Sequence, residues 1–211
     1  MMDATLEALP TRAVFRVMLI GHSFIRRLQT YSERSGHASD PYANLRLDRN
    51  QFRLSFIGLP GASVNGARSL QPQLHTIQTI HPDIVFLEIG SNDLCDPNLE
   101  PRILAQNIIS LARFIHIGYN VQCVVIGSIL PRVGSTWRSY NTRVIVTNEY
   151  LREFSIPEVG LYFWRHRGFT DCSVNPFSGD GVHLNPQGMQ KYVRSIRWAV
   201  LSYKSKLMRS V

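Results

Sequence analysis

Five short runs rich in β-branched and aromatic residues, spaced by longer segments of helical period, restrict the folds open to this chain more than any other feature. Residues 14–20, 52–57, 84–89, 121–126 and 161–164 read as strands. Residues 24–31, 66–79 and 141–154 read as helices, the second disturbed by Pro72. The clearest helix opens at Pro101 and ends at Gly118, where Ile103, Leu104, Ile108, Leu111, Ala112 and Ile115 recur at spacings that place them on one face. A last helix begins near Pro186, with Met189, Tyr192, Val193, Ile196, Val200 and Tyr203 along one side. Strands alternating with helices imply a parallel sheet covered on both faces. The first, third and fourth runs are almost continuously apolar, as doubly buried strands are. No repeat, low-complexity tract or linker interrupts the pattern, so residues 1–211 read as one α/β domain with its core over about 14–203.

In an open α/β sheet, ligands bind in the crevice beyond the carboxyl ends of the strands. Gly21-His-Ser-Phe24, Gly58-Leu-Pro-Gly61 and Gly90-Ser-Asn-Asp93 fall at such ends, and Asp180-Gly-Val-His183 lies in a late loop able to reach them. Ser23 follows the first strand, where a turn exposes a hydroxyl above a helix N-terminus that favours developing negative charge. Taken alone, a helix N-cap explains that serine better. Asp180, three residues before His183, can accept the imidazole Nδ1–H and fix the tautomer whose Nε2 takes a serine proton. A turn followed by a helix cap is the plainer role for that pair. The Ser23 N–H, the Gly61 N–H and the Asn92 amide supply three donors for an oxyanion. Otherwise Gly61 only turns the chain and Ser91-Asn92-Asp93 only caps a helix.

These four segments, in this order, resemble the sequence blocks of the SGNH (GDSL-like) hydrolase superfamily. Gly21-His-Ser23 stands for the family's Gly-Asp-Ser block, and Gly61 falls in the glycine block. Gly90-Ser-Asn-Asp93 matches Gly-x-Asn-Asp, and Asp180-Gly-Val-His183 matches Asp-x-x-His. The resemblance implies a flavodoxin-like, three-layer α/β/α sandwich around a mostly parallel five-stranded sheet. It implies a serine esterase with Ser23, Asp180 and His183 as catalytic triad, and Ser23, Gly61 and Asn92 as oxyanion hole. The substrate is then a small ester or acylated compound, and neither cofactor nor metal is called for. His22 replaces the family's Asp, a residue that braces neighbouring loops, and this departure carries the alternative reading. In that reading the chain is a catalytically weak or inactive binding module for nucleic acid or an anionic surface, similar to the esterase-like modules of some animal retrotransposons.

The chain's net charge of +8 permits such anionic partners without choosing among them, and its bases are spread along the sequence rather than gathered in one tail. Lys191, Arg194, Arg197, Lys204, Lys206 and Arg209 mostly lie off the apolar stripe of the last helix and read as its wet face. His37, His75, His81 and His116 show no ligand pattern. Trp164-Arg-His166-Arg167 reads as a solvated loop, with Arg165 and Arg167 the first places to seek a preference for substrate charge. Cys95, Cys123 and Cys172 are too sparse for a disulfide framework or a metal cluster, and Cys123 reads as core. No apolar stretch reaches the roughly 18–20 residues of a membrane span. The N-terminus lacks the features of a secretion signal, which points to an intracellular, cytoplasmic protein.

Overall fold

The computed structural model describes residues 14–34, 43–170 and 175–209. Strands β1 (Phe15–Gly21), β2 (Phe52–Gly58), β3 (Ile84–Glu88), β4 (Cys123–Gly127) and β5 (Leu161–Trp164) pair in the order β2-β1-β3-β4-β5. Every pairing is parallel, so the sheet expected to be mostly parallel is wholly so. Helices α1 (Ser23–Arg34), α2 (His75–Ile80), α3 (Pro101–Gly118), α4 (Arg138–Phe154) and α5 (Pro186–Arg209) occupy the intervals and the C-terminus. All five strands therefore end at one edge of the sheet, the edge where the four polar segments were expected to gather.

Successive strand residues point to opposite faces, and each face has its own core. Met18, Ile20, Val85, Leu87, Val124 and Ile126 pack with Leu104, Ile108 and Ile115 of α3 and Val144 and Leu151 of α4. Val17, Leu19, Phe86 and Val125 pack with Ile25 and Leu28 of α1 and with Tyr192, Val193 and Ile196 of α5. This is the three-layer α/β/α arrangement. The stripe on α3 is buried as its spacing predicts, and each fully buried Leu or Ile on it contributes about 1.5–3 kcal/mol. Cys123 is buried in the core, as expected, while Cys95 is exposed. Cys172 and His37 lie outside the described residues.

Two expectations fail locally. The helix expected over 66–79 shrinks to α2, preceded by a 3₁₀ turn at Gln71–Gln73. Pro72 lacks the N–H that the Arg68 carbonyl would accept in a longer helix, and that carbonyl accepts the Ser63 N–H at 3.0 Å. Helix α4 starts at Arg138, ahead of Asn141. The Asn141 amide, inside the first turn, spans to the backbone N–H and C=O of Arg132, and Asn148 makes the same paired bonds with Ile129. On α5, Arg194 is exposed as the wet face requires. Lys204 departs from that reading and lies 4.6 Å over the Phe52 ring. Among the described residues, no helix is long and apolar enough to cross a membrane.

Candidate active site

Ser23 is the first residue of α1, directly beyond the end of β1. The His22 carbonyl accepts from the Ile25 and Arg26 N–H groups at 3.1 and 3.3 Å, which makes His22 the cap residue. Its Nδ1 accepts from the Phe24 N–H at 3.4 Å. The capping role that would have explained Ser23 away is therefore held by His22. The half-buried Ser23 hydroxyl makes no hydrogen bond among the described residues. Gly21 is required just before this turn, because a Cβ there would sit 2.0 Å from the Glu88 carbonyl oxygen.

The second and third segments are clamped to the first and to each other. Leu59 N–H donates to the Gly21 carbonyl at 2.9 Å. Asn92 Nδ2 donates to the Ala62 carbonyl at 2.8 Å, and Asp93 Oδ1 accepts from the Val64 N–H at 2.9 Å. Burial raises the Asp93 carboxyl above its ordinary range, and the Val64 bond partly offsets this. Asn92 makes no side-chain cap on the 3₁₀ turn that follows it, and an amide NH₂ with one bond made keeps a second hydrogen to donate. Gly61, held next to it, has φ +77°, and a Cβ would approach Arg68 Nη1 to 3.0 Å. The left-handed backbone disfavours a larger residue there, while the exposed Arg68 end could move aside.

In the late loop, His183 Nδ1 lies 2.6 Å from Asp180 Oδ2. Asp180 Oδ1 accepts from the N–H groups of Val182 and His183, both at 2.9 Å, and from the Ser178 hydroxyl at 3.0 Å. Slight burial alone would raise the Asp180 carboxyl; these bonds, that from His183 foremost, override it and hold the group well below the usual carboxylate range. An ionised Asp180 accepts the His183 Nδ1–H, the tautomer that leaves Nε2 as acceptor. The loop is docked on the segment after β4, where Val133 N–H donates to the Gly181 carbonyl at 2.8 Å. The His183 ring stands edge-on to Phe24, the neighbour of Ser23, with centroids 6.3 Å apart. All four segments thus converge on one edge of the sheet, although no hydrogen bond joins Ser23 and His183. Such bonds are often long in the absence of substrate.

Beneath this surface lies a buried polar network that the sequence reading missed. Glu88, at the end of β3, is 1% exposed, and its Oε2 meets Tyr192 Oη at 2.9 Å and His166 Nε2 at 3.0 Å. His166 Nδ1 meets Ser195 Oγ at 2.8 Å, and that oxygen accepts from Trp164 Nε1 at 3.0 Å. One tautomer closes every bond: His166 donates from Nε2 to Glu88 and accepts the Ser195 hydroxyl proton at Nδ1. His166 is therefore no part of a solvated loop, because the carboxylate it reaches is 78 residues away in sequence. A lone acid inside an apolar strand was the one available signal. Arg132 is also buried, its guanidinium packed against the rings of Trp137 and Tyr140 and donating to the Ser91 carbonyl at 3.2 Å. Among the described residues, no three His, Cys, Asp or Glu side chains converge to hold a metal ion.

His22 joins this interior. Burial pushes its pKa down to about 4; the Glu88 carboxylate opposes the shift, while Arg132 and His183 add to it. A folded-state pKa below the unfolded value means the unfolded chain takes the proton first. Stability is then complete above about pH 6.5 and falls as pH drops toward 4. The full loss expected from a shift of this size is about 3 kcal/mol. Urea unfolding between pH 7 and 4 checks it: His22→Asn, which keeps a capping side chain but cannot charge, should flatten that fall. Equal pH slopes for the two proteins would contradict it.

The chain shares its fold with solved hydrolases of low sequence identity. It is similar to a GDSL-like lipase from Bacteroides thetaiotaomicron, at 16% identity and a TM-score of 0.65, covering 89% of this chain and 88% of that one. It is similar to an acetylxylan esterase from Geobacillus stearothermophilus, at 15% identity and a TM-score of 0.65, covering 89% and 94%. An α/β hydrolase from the metagenome of Lake Arreo, Spain, gives 16% identity and a TM-score of 0.66, covering 88% and 94%. No curated protein matches the sequence. Residues 19–191, which carry all four segments, match one family along their length, and the chain belongs to the GDSL-like lipase/acylhydrolase family.

Proposed function

We propose that this protein is a serine esterase that cleaves a carboxylic ester through an acyl-enzyme, with Ser23 as nucleophile. His183 Nε2 takes the Ser23 proton as Oγ attacks the ester carbonyl, and the carbonyl electron pair moves onto oxygen. The Ser23 and Gly61 N–H groups and the free hydrogen of Asn92 Nδ2 receive that oxyanion. Asp180 holds the imidazolium through its Nδ1–H. Collapse breaks the ester C–O bond, and His183 returns the proton to the departing alcohol. Water, deprotonated by the same imidazole, then releases the acid and restores Ser23.

The observation that carries this reading is the Asp180–His183 bond of 2.6 Å, in a loop packed beside the first turn of α1. Retained capping by His22 supports an active site over a degenerate one, since the turn before Ser23 keeps its acceptor despite the missing acid. The test is labelling by a fluorophosphonate probe together with hydrolysis of p-nitrophenyl acetate. Wild-type protein should show both and Ser23→Ala neither. A wild type inert to both, or a variant that keeps both, would overturn the assignment.

A further inference from the structure

A cleft of about 690 Å³ opens at the β5 edge of the sheet, between the segment after β5 and the flank of α5. Among the described residues its charged lining is basic: Arg165, Arg167, Lys191 and Arg194. Among the described residues none of the four has a carboxylate partner. Lys191 Nζ and Arg194 Nε reach only backbone carbonyls, of Gly168 at 3.2 Å and Gln190 at 3.4 Å. Four cations around one concavity repel one another and focus a positive potential into it, a field that favours a polyanion.

The same cleft presents aromatic faces. Trp198 on its rim is 58% exposed, and the Arg197 guanidinium lies 5.7 Å from its ring. Trp164 lines the interior, held in orientation by its bond to Ser195. A cationic groove carrying exposed rings is the combination that binds single strands, phosphates meeting the cations and bases stacking on the rings. A membrane surface fits less well. It needs apolar groups that protrude together, and here only Trp198 stands out while the rest of the apolar lining is recessed. β5 is the edge strand, three places from β1, so at usual strand spacing the cleft lies about 14 Å from the strand that leads to Ser23.

We propose that this cleft binds single-stranded nucleic acid, independently of the ester chemistry assigned to Ser23. Fluorescence anisotropy with a fluorescein-labelled 20-nucleotide oligouridylate, titrated with the full chain at 50–300 mM NaCl, tests it. Wild-type protein should bind, with a log–log salt slope of about −2 to −3, as three or four phosphate contacts require. Arg167→Glu/Arg194→Glu should weaken binding at least tenfold while fluorophosphonate labelling persists. If charge reversal prevents folding, Arg167→Gln/Arg194→Gln should still reduce the salt slope by about one. Trp198→Ala should weaken binding by roughly 5- to 150-fold, the loss of one stacked base.

Three results would overturn the proposal. One is absence of oligonucleotide binding, and another is unchanged affinity in the charge variants. The third is binding confined to phosphatidylcholine/phosphatidylserine vesicles. Competition by uridine monophosphate as effective as the oligomer would reassign the cleft to a free nucleotide. None of these outcomes depends on whether Ser23 is a nucleophile.

Discussion

Replacing His183 by alanine is expected to lower kcat for p-nitrophenyl acetate by about 10⁶-fold, and Asp180→Asn by about 10⁴-fold. The first change removes the base proposed to take the Ser23 proton, and combining it with Ser23→Ala should cost little more if the residues act as a unit. The second is more diagnostic. Asp180 Oδ1 is held by three donors, the Val182 and His183 N–H groups and the Ser178 hydroxyl. An asparagine in this pocket keeps its oxygen on those donors and turns its NH₂ toward His183 Nδ1. The imidazole must then accept at Nδ1 and carry its proton on Nε2, the tautomer that cannot deprotonate a serine. KM should change little, because neither substitution removes a group that contacts the ground-state ester. Steady-state kinetics on both variants, with far-UV circular dichroism to verify folding, decide the matter. An Asp180→Asn enzyme within tenfold of wild type would show that the pair does not serve catalysis.

The sequence discloses those residues because their geometry is local. Two residues separate Asp180 from His183, and a loop of that length brings the two side chains together whatever the rest of the chain does. The sheet is legible for a similar reason: apolar runs buried on both faces, such as β3 and β4, carry their pattern within five residues. Where a side chain answers to a distant partner, the code disappears. Asn141, where the sequence suggests a helix start, lies one turn inside α4 and answers to the distant Arg132 backbone. His166 sits between two arginines and resembles a solvated residue, yet its nitrogens are committed to Glu88 and Ser195. His22 resembles a defect in the family's Gly-Asp-Ser block until its Nδ1 is seen to accept from Phe24.

Glu88→Ala should cost the fold about 3–5 kcal/mol. Removing the carboxylate strands two buried donors, Tyr192 Oη and His166 Nε2. Each unsatisfied buried donor costs about 1–3 kcal/mol, and the void left beneath the sheet edge adds to that. The site cannot easily collapse. A Cβ on Gly127 would already lie 2.5 Å from Glu88 Oε2 and 3.0 Å from His166 Nε2, so β4 is pressed as close as its backbone allows. Glu88→Gln retains one oxygen where both donors converge and should cost only about 1–2 kcal/mol. The ratio of the two effects, read from urea midpoints at pH 7, separates a hydrogen-bonded anchor from mere volume. Similar losses for Ala and Gln would mean that charge rather than hydrogen bonding holds the network, whereas a near-neutral Glu88→Ala would mean the network contributes nothing. Because Tyr192 also packs 6.0 Å from the Phe24 ring, the first turn of α1 rests on this anchor. Loosening Glu88 should therefore lower kcat in the proteins that remain folded, through displacement of Ser23 rather than through any contact with the ester.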